Sequence, residues 1–253
     1  MLRAYGEGNI FGEVYGEGPI EVVWLHGWRR TGADFSQAAG DVAREGISSV
    51  ALDLPGFGAS PLPPHAGGAA MYASLLARAL DTISGEPLVL VGHSFGGRVA
   101  AVLAAEYPNR VRGLVLTGVP LVHRSSSRRS PWGYRIVREL HRRGVIGESR
   151  MEAARQKYGS SDYRNSSGPL RDILVTLVNE SYEQELEHIA SPTALVWGEN
   201  DLEVPESVAR RGVELLTSAA SVTLDVVSDT GHLLPTERPV ELAGHVRRMV
   251  RGS

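Results

Sequence analysis

The stretch Gly92-His93-Ser94-Phe95-Gly96 places a hydroxyl between glycines, where the apolar run "LVLV" (88–91) gives way to the alanine-rich "GRVAAVLAA" (97–105). A serine there can do one of two things. It can cap a helix, or it can be a nucleophile held on a tight strand-to-helix corner. In the second case the flanking glycines are required, because a side chain at either position would strike the neighbouring strand or helix. A serine hydroxyl attacks a carbonyl only with a base beside it, and the base needs an acid to orient it.

Candidates for both partners lie downstream. "WGENDLEVP" (197–205) supplies Asp201 just past an apolar run, with Glu199, Asn200 and Glu203 as neighbouring rivals and a turn or helix-cap role as the plain alternative. "SDTGHLLPTERP" (228–239) supplies His232. Of the other histidines, His65, His123, His141, His188 and His245 lie in predicted loops or helices away from strand ends. His93 is expected to turn its ring away from the site. The chain order Ser94, Asp201, His232 fits three loops that follow successive strands of one sheet.

Acyl transfer also needs N–H donors where negative charge develops on the carbonyl oxygen. Phe95 supplies one through its backbone, at the start of a helix whose dipole favours an anion. Trp28, in "HGWRRTGADF" (26–35), supplies the second, unless it is only a packed aromatic. Arg29 and Arg30 follow it. They could draw in a carboxylate-bearing substrate, or form a structural ion pair with a cap or with Asp34. Tyr158, Asp162, Tyr163 and Arg164 cluster in "YGSSDYRNSSGPLRD" (158–172), where they either line a pocket or lock a helical insertion in place.

The elements that must hold these residues follow from periodicity. "IEVVWLHG", "SSVALD", "EPLVLVG" and "VRGLVLTG" read as buried strands, with helices over 71–84 and 97–108 between them. Near-continuous apolar strands alternating with helices predict a parallel sheet covered on both faces. Residues 121–168 break the alternation with serine and arginine runs. A helix with Leu170, Ile173, Leu174, Leu177 and Val178 on one side follows. Strands resume at 192 and 221, and a last helix starts near Pro239. The expected fold is therefore α/β, a doubly wound and mostly parallel sheet. Residues 1–120 and 190–253 form the core, and a mostly helical cap (121–189), inserted after the sixth strand, lies over the strand ends where open sheets bind ligands.

The bulk numbers fit such a fold. The chain has 253 residues, 42% hydrophobic and 22% charged, with a formal net charge of −3. No long block of one charge points to nucleic acid or a membrane surface. The absence of cysteine rules out disulfides and a thiol nucleophile. No apolar run reaches the roughly 18 residues of a membrane span, and the glycine-broken opening has no signal-peptide core. These features predict a soluble, cytoplasmic protein; the serine, histidine and aspartate candidates add the expectation of a small-molecule substrate handled with no cofactor or metal. They leave the oligomeric state open.

Together "HGW" (26–28), "LDLPGFGAS" (52–60), "GHSFGG" (92–97), "WGENDLEVP" (197–205) and "GHLLPTERP" (231–239) resemble the α/β-hydrolase superfamily with a cap domain, over almost the whole chain. Members similar at this level include carboxylesterases, lactonases, carbon–carbon bond hydrolases of aromatic-ring breakdown and cofactor-free perhydrolases. Ser94 stands where epoxide hydrolases and haloalkane dehalogenases of the family carry aspartate. The resemblance implies a serine hydrolase acting on a small carboxylic ester or lactone through an acyl-enzyme. Cleavage of a vinylogous diketone by the same triad is the alternative. A non-catalytic ligand-binding protein on this fold is the alternative from another class.

Overall fold

The computed structural model describes residues 1–122, 132–158 and 161–252. In chain order its strands are β1 (Leu2–Tyr5), β2 (Ile10–Tyr15), β3 (Ile20–Leu25), β4 (Ser48–Asp53), β5 (Leu88–His93), β6 (Val111–Thr117), β7 (Thr193–Gly198) and β8 (Val222–Val227). The α-helices among the described residues are α1 (Ser36–Arg44), α2 (Ala69–Ile83), α3 (Phe95–Glu106), α4 (Trp132–Arg142), α5 (Glu148–Tyr158), α6 (Ser161–Asn165), α7 (Pro169–Asn179), α8 (Glu183–His188), α9 (Glu206–Leu215), α10 (Leu234–Glu237) and α11 (Pro239–Arg251).

One sheet joins all these strands in the order β1-β2-β4-β3-β5-β6-β7-β8. The pairs from β4 through β8 are parallel, while β1 with β2 and β2 with β4 run antiparallel. Every residue of β5 and β7 is buried, as strands covered on both faces require, whereas the edge strand β1 exposes its first three residues and β8 has no fully buried residue. Alternate residues of β3 separate the two cores. Val23 and Leu25 join α2 and α3 on one face; Val22 and Trp24 join α1 and α11 on the other.

The sequence reading counts six strands before the insertion but gives residues for only four; the two N-terminal strands are the ones it does not locate. Their turn is built by Gly6, Glu7 and Gly8, all at positive φ, and β1 buries only Tyr5. A glycine-rich ribbon whose large buried side chains are Tyr5 and Ile10 carries little apolar periodicity to detect. The helix over 71–84 begins two residues earlier than expected, at Ala69. The helix whose alanine-rich run spans 97–108 starts at Phe95, as expected of that residue, directly after Ser94, and ends at Glu106. Helices α4 to α8 fall between β6 and β7, the sequence position expected of the insertion. Among the described residues, no helix is long and apolar enough to cross a membrane.

Because β3 to β8 are parallel, their C-terminal ends share one edge. His26, Ser94, Gly118, Asp201 and His232 all lie at or just beyond those ends.

Candidate active site

Ser94 sits between β5 and α3 with φ 48° and ψ −110°, a backbone region that L-residues rarely enter. Such strain costs on the order of 1–3 kcal/mol and persists only where surrounding contacts over-determine it. Three contacts do so. The Ser94 N–H donates to the Thr117 carbonyl at 3.0 Å, and the Gly96 N–H donates to the His26 carbonyl at 3.0 Å. The Phe95 ring is buried edge-on against Tyr72 and Trp28, with centroids at 4.9 and 5.3 Å.

The glycine after the corner is a steric necessity. A β-carbon on Gly96 would stand 2.2 Å from the Leu25 carbonyl oxygen. Gly96→Ala is therefore expected to destabilise the protein by ~3 kcal/mol, as overpacking against fixed backbone does. Urea denaturation checks this, and a loss under 1 kcal/mol would contradict the geometry.

Asp201 and His232 meet on the neighbouring loops. His232 Nδ1–H donates to Asp201 Oδ2 at 2.8 Å, and the two side chains are 11% and 1% exposed. Asp201 Oδ1 accepts the N–H groups of Glu203 and Val204 at 2.9 and 2.8 Å. One carboxylate thus folds its own loop and holds the imidazole. Burial works against a charged His232, but the Asp201 hydrogen bond and the nearby carboxylates outweigh it, so its pKa is raised above the ordinary histidine value. The pair rests on the end of β6. A β-carbon on Gly118 (φ +59°) would lie 3.0 Å from the His232 ring and 3.3 Å from Asp201 Oδ2. Since Gly118 follows Thr117, which anchors Ser94, the corner and the pair share one support.

His93 corrects the sequence expectation that its ring faces away. It is fully buried, its ring centroid is 4.9 Å from that of His232, and its Nε2–H donates to the His232 carbonyl at 2.9 Å. A carbonyl only accepts, so the proton is on Nε2. Burial first, then the neighbouring His232, pushes the His93 pKa down to about 3, so the ring is neutral. Its adjacency to Ser94 was the only sequence signal for this role.

The loop after β3 lies against the same corner, with the Gly27 β-position 3.6 Å from Ser94 Cβ. His26 locks it. The Leu54 N–H donates to His26 Nε2 at 2.9 Å, so Nδ1 carries the proton and donates to the Gly27 carbonyl at 2.7 Å. Asp53 adds a bond from the Gly32 N–H at 2.8 Å. The Trp28 ring packs edge-on against Phe57 and Phe95, at 5.0 and 5.3 Å between centroids. Phe95 is the first residue of α3, where N–H groups have no partner within the helix.

The remaining candidates divide. Arg30 forms a two-point ion pair with Asp34, the structural alternative weighed for it. Arg29 is exposed and adopts φ 57°. Tyr163 donates to Glu152 at 2.6 Å, and the Arg171 guanidinium lies 5.1 Å from its ring centroid. These contacts tie α5, α6 and α7 to one another. The Tyr158 side chain lies outside the described residues.

A mostly parallel sheet with a strained serine on a strand-to-helix corner, and a buried Asp–His pair on the loops beside it, defines the class: an α/β fold with its candidate site at the C-terminal edge of its strands. The chain belongs to the alpha/beta hydrolase fold family, whose model matches residues 21–239. It is 28% identical over 239 residues to the 2-hydroxy-6-oxononadienedioate/2-hydroxy-6-oxononatrienedioate hydrolase of Escherichia coli K12, covering 86% of this chain and 82% of that one. In fold it is similar to an esterase from Exiguobacterium antarcticum, with TM-score 0.74, 20% identity and 99% of each chain covered. It is also similar to a thermophilic esterase from Thermogutta terrifontis, with TM-score 0.71, 22% identity and 100% and 98% covered.

Proposed function

We propose that this α/β hydrolase cleaves a small carboxylic ester or lactone through Ser94, His232 and Asp201. The observation that carries this reading is the 2.8 Å His232–Asp201 bond, supported on the same strand end that anchors Ser94. Asp201 occupies Nδ1, so neutral His232 presents Nε2 as an acceptor. His232 takes the Ser94 proton as Oγ attacks the carbonyl. The N–H groups of Trp28 and Phe95 receive the oxyanion. His232 then gives the proton to the leaving group, and a water activated by the same nitrogen releases the acyl group. The helices between β6 and β7 act as the cap. Contacts between the core and that segment support this: Arg98 of α3 donates to the Leu177 carbonyl, and the Gly56 β-position stands 2.7 Å from Leu170.

A fluorophosphonate tests the reading directly. Stoichiometric phosphonylation of Ser94, blocked in Ser94→Ala, supports it; inertness toward the probe and toward activated esters points to a binding protein instead. Carbon–carbon hydrolysis is the second reading, favoured by the name of the E. coli relative. Turnover of a ring-fission dienoate in preference to simple esters would select it.

The raised His232 pKa sets the sign of the pH response. The base works only when neutral. kcat/KM should therefore rise as pH increases through a limb lying above the ordinary histidine value of ~6.5. A profile already flat below that value would contradict the pairing.

A further inference from the structure

We propose that Arg98 is a positioning and specificity-determining residue of this site. With Glu180 it clasps α7 to the core by matching two helix ends with opposite charge. The clasp fixes the wall that meets a substrate extending beyond a short acyl group. The proposal rests on the serine-hydrolase and cap reading above.

Arg98 belongs to the first turn of α3, and its N–H donates to the Ser94 carbonyl at 3.2 Å. Its guanidinium reaches across to the inserted segment, where Nη1 donates to the Leu177 carbonyl. Leu177 lies in the last turn of α7, the negative end of the helix dipole, where a cation is favoured.

Glu180 makes the reciprocal contact. It follows directly on α7, and its Oε2 accepts the Ala69 N–H at 3.1 Å. Ala69 is the first residue of α2, so the carboxylate stands at the positive end of a 15-residue helix. Gly68 leaves it the room, because a β-carbon there would collide with the Glu180 carboxylate. Buried Tyr182 joins the two contacts. Its hydroxyl donates to Glu180 Oε2 at 2.7 Å, and the Arg98 guanidinium lies 5.7 Å from its ring centroid. Its N–H donates to the Leu121 carbonyl at 3.1 Å, so the departure of the segment from the core and its return are tied together.

The other end of α7 rests on the loop after β4, where Leu170 meets Gly56. That loop holds His26 through the Leu54 N–H, and His26 locks the loop that carries Trp28. About 16 Å long, α7 therefore runs from the support of the proposed oxyanion loop to the helix that starts at the serine corner. Ile173 and Leu177 pack in one cluster with Phe57, Tyr72 and Phe95.

A wall held in place needs no ordering when substrate binds. A wall that must be ordered on binding takes that cost out of the affinity, and only for substrates long enough to touch it. Loss of the clasp therefore raises KM selectively for long acyl chains.

The experiment compares wild type, Arg98→Met, Arg98→Lys and Glu180→Ala. Hydrogen exchange read by mass spectrometry reports the clasp without any turnover. Arg98→Met and Glu180→Ala are each expected to speed exchange of the α7 amides about tenfold relative to those of β5 and β6, while Arg98→Lys stays near wild type. In kinetics, Arg98→Met is expected to lower the hexanoate-to-acetate ratio of kcat/KM for p-nitrophenyl esters about fivefold, through KM of the longer ester. Arg98→Lys retains the wild-type ratio. A merely structural role would lower stability and slow both esters alike. That result, a gain for hexanoate, or unchanged α7 exchange in Arg98→Met overturns the proposal. A wild type that neither turns over esters nor labels at Ser94 removes the serine-hydrolase reading and the specificity role with it, and the exchange result still decides the clasp.

Discussion

Ser94→Ala is expected to reduce kcat/KM for p-nitrophenyl acetate by at least ~10⁴-fold while leaving the fold intact. The size follows from what is lost. Without the hydroxyl there is no acyl-enzyme, and only the oxyanion donors and substrate binding remain to accelerate attack by water. Stability is preserved because the hydroxyl bears none of the contacts that hold the corner. The Ser94 N–H to Thr117, the Gly96 N–H to His26 and the buried Phe95 ring are unaffected. Alanine suffers the same backbone strain at φ 48° as serine does. Glycine does not, so Ser94→Gly is expected to be equally inactive and ~1 kcal/mol more stable than wild type, the relieved strain exceeding the entropic cost of glycine. Steady-state kinetics and urea melts on the two variants check both halves. Undiminished turnover by either variant would end the Ser94 reading. An unchanged or lower stability for Ser94→Gly would mean that the corner is not strained.

Asp201→Asn is expected to cost ~10⁴-fold in kcat with little loss of KM, because it leaves the atoms in place but reverses a proton. Asp201 serves two masters: Oδ1 receives two backbone N–H groups, and Oδ2 receives His232 Nδ1–H. An asparagine satisfies the backbone donors only by placing its oxygen at Oδ1. Its NH₂ then faces His232, so Nδ1 must become the acceptor and Nε2 must carry the proton. The imidazole is left in the tautomer that cannot accept from Ser94. Asp201→Glu is the informative companion. It keeps the charge but cannot meet both demands at the same backbone position, so loss of stability should accompany its loss of activity. An Asp201→Asn enzyme within tenfold of wild type would show that another carboxylate orients His232, and Glu203 would then be the first to examine.

The parts of this architecture legible in the sequence were those with a periodic or steric signature. The buried strands β3 to β7 are continuous apolar runs, and the glycines around Ser94 mark a corner that tolerates no side chain. Asp201 and His232 were legible because each follows an apolar strand. What escaped detection lacks such signatures. Strands β1 and β2 are short and glycine-punctuated, with little to bury on β1. His93 looked like a passive neighbour of the serine, since nothing in a linear pattern says that its ring reaches a carbonyl 139 residues away. Glu203 was weighed only as a rival to Asp201. That its carboxylate comes within 3.6 Å of the other nitrogen of the His232 ring depends on the turn Asp201 folds, which residue spacing does not encode. The pairing of Arg30 with Asp34 was foreseen as one of two options, and only geometry could choose between them.

The His93 contact also bears on dimensional tolerance. Ser94 and His232 are carried by strands at different places in the sheet, and a path from one to the other through β5, β6, β7 and β8 crosses three strand pairings. Small errors in each would add, yet proton transfer fails when the two groups are misplaced by about an ångström. The ring of the residue next to the serine spans the gap directly and holds the backbone carbonyl of His232. The separation of Ser94 from His232 is thus gauged by one rigid side chain rather than by the sum of the sheet's spacings, and breathing of the outer strands need not be transmitted to the atoms proposed to react.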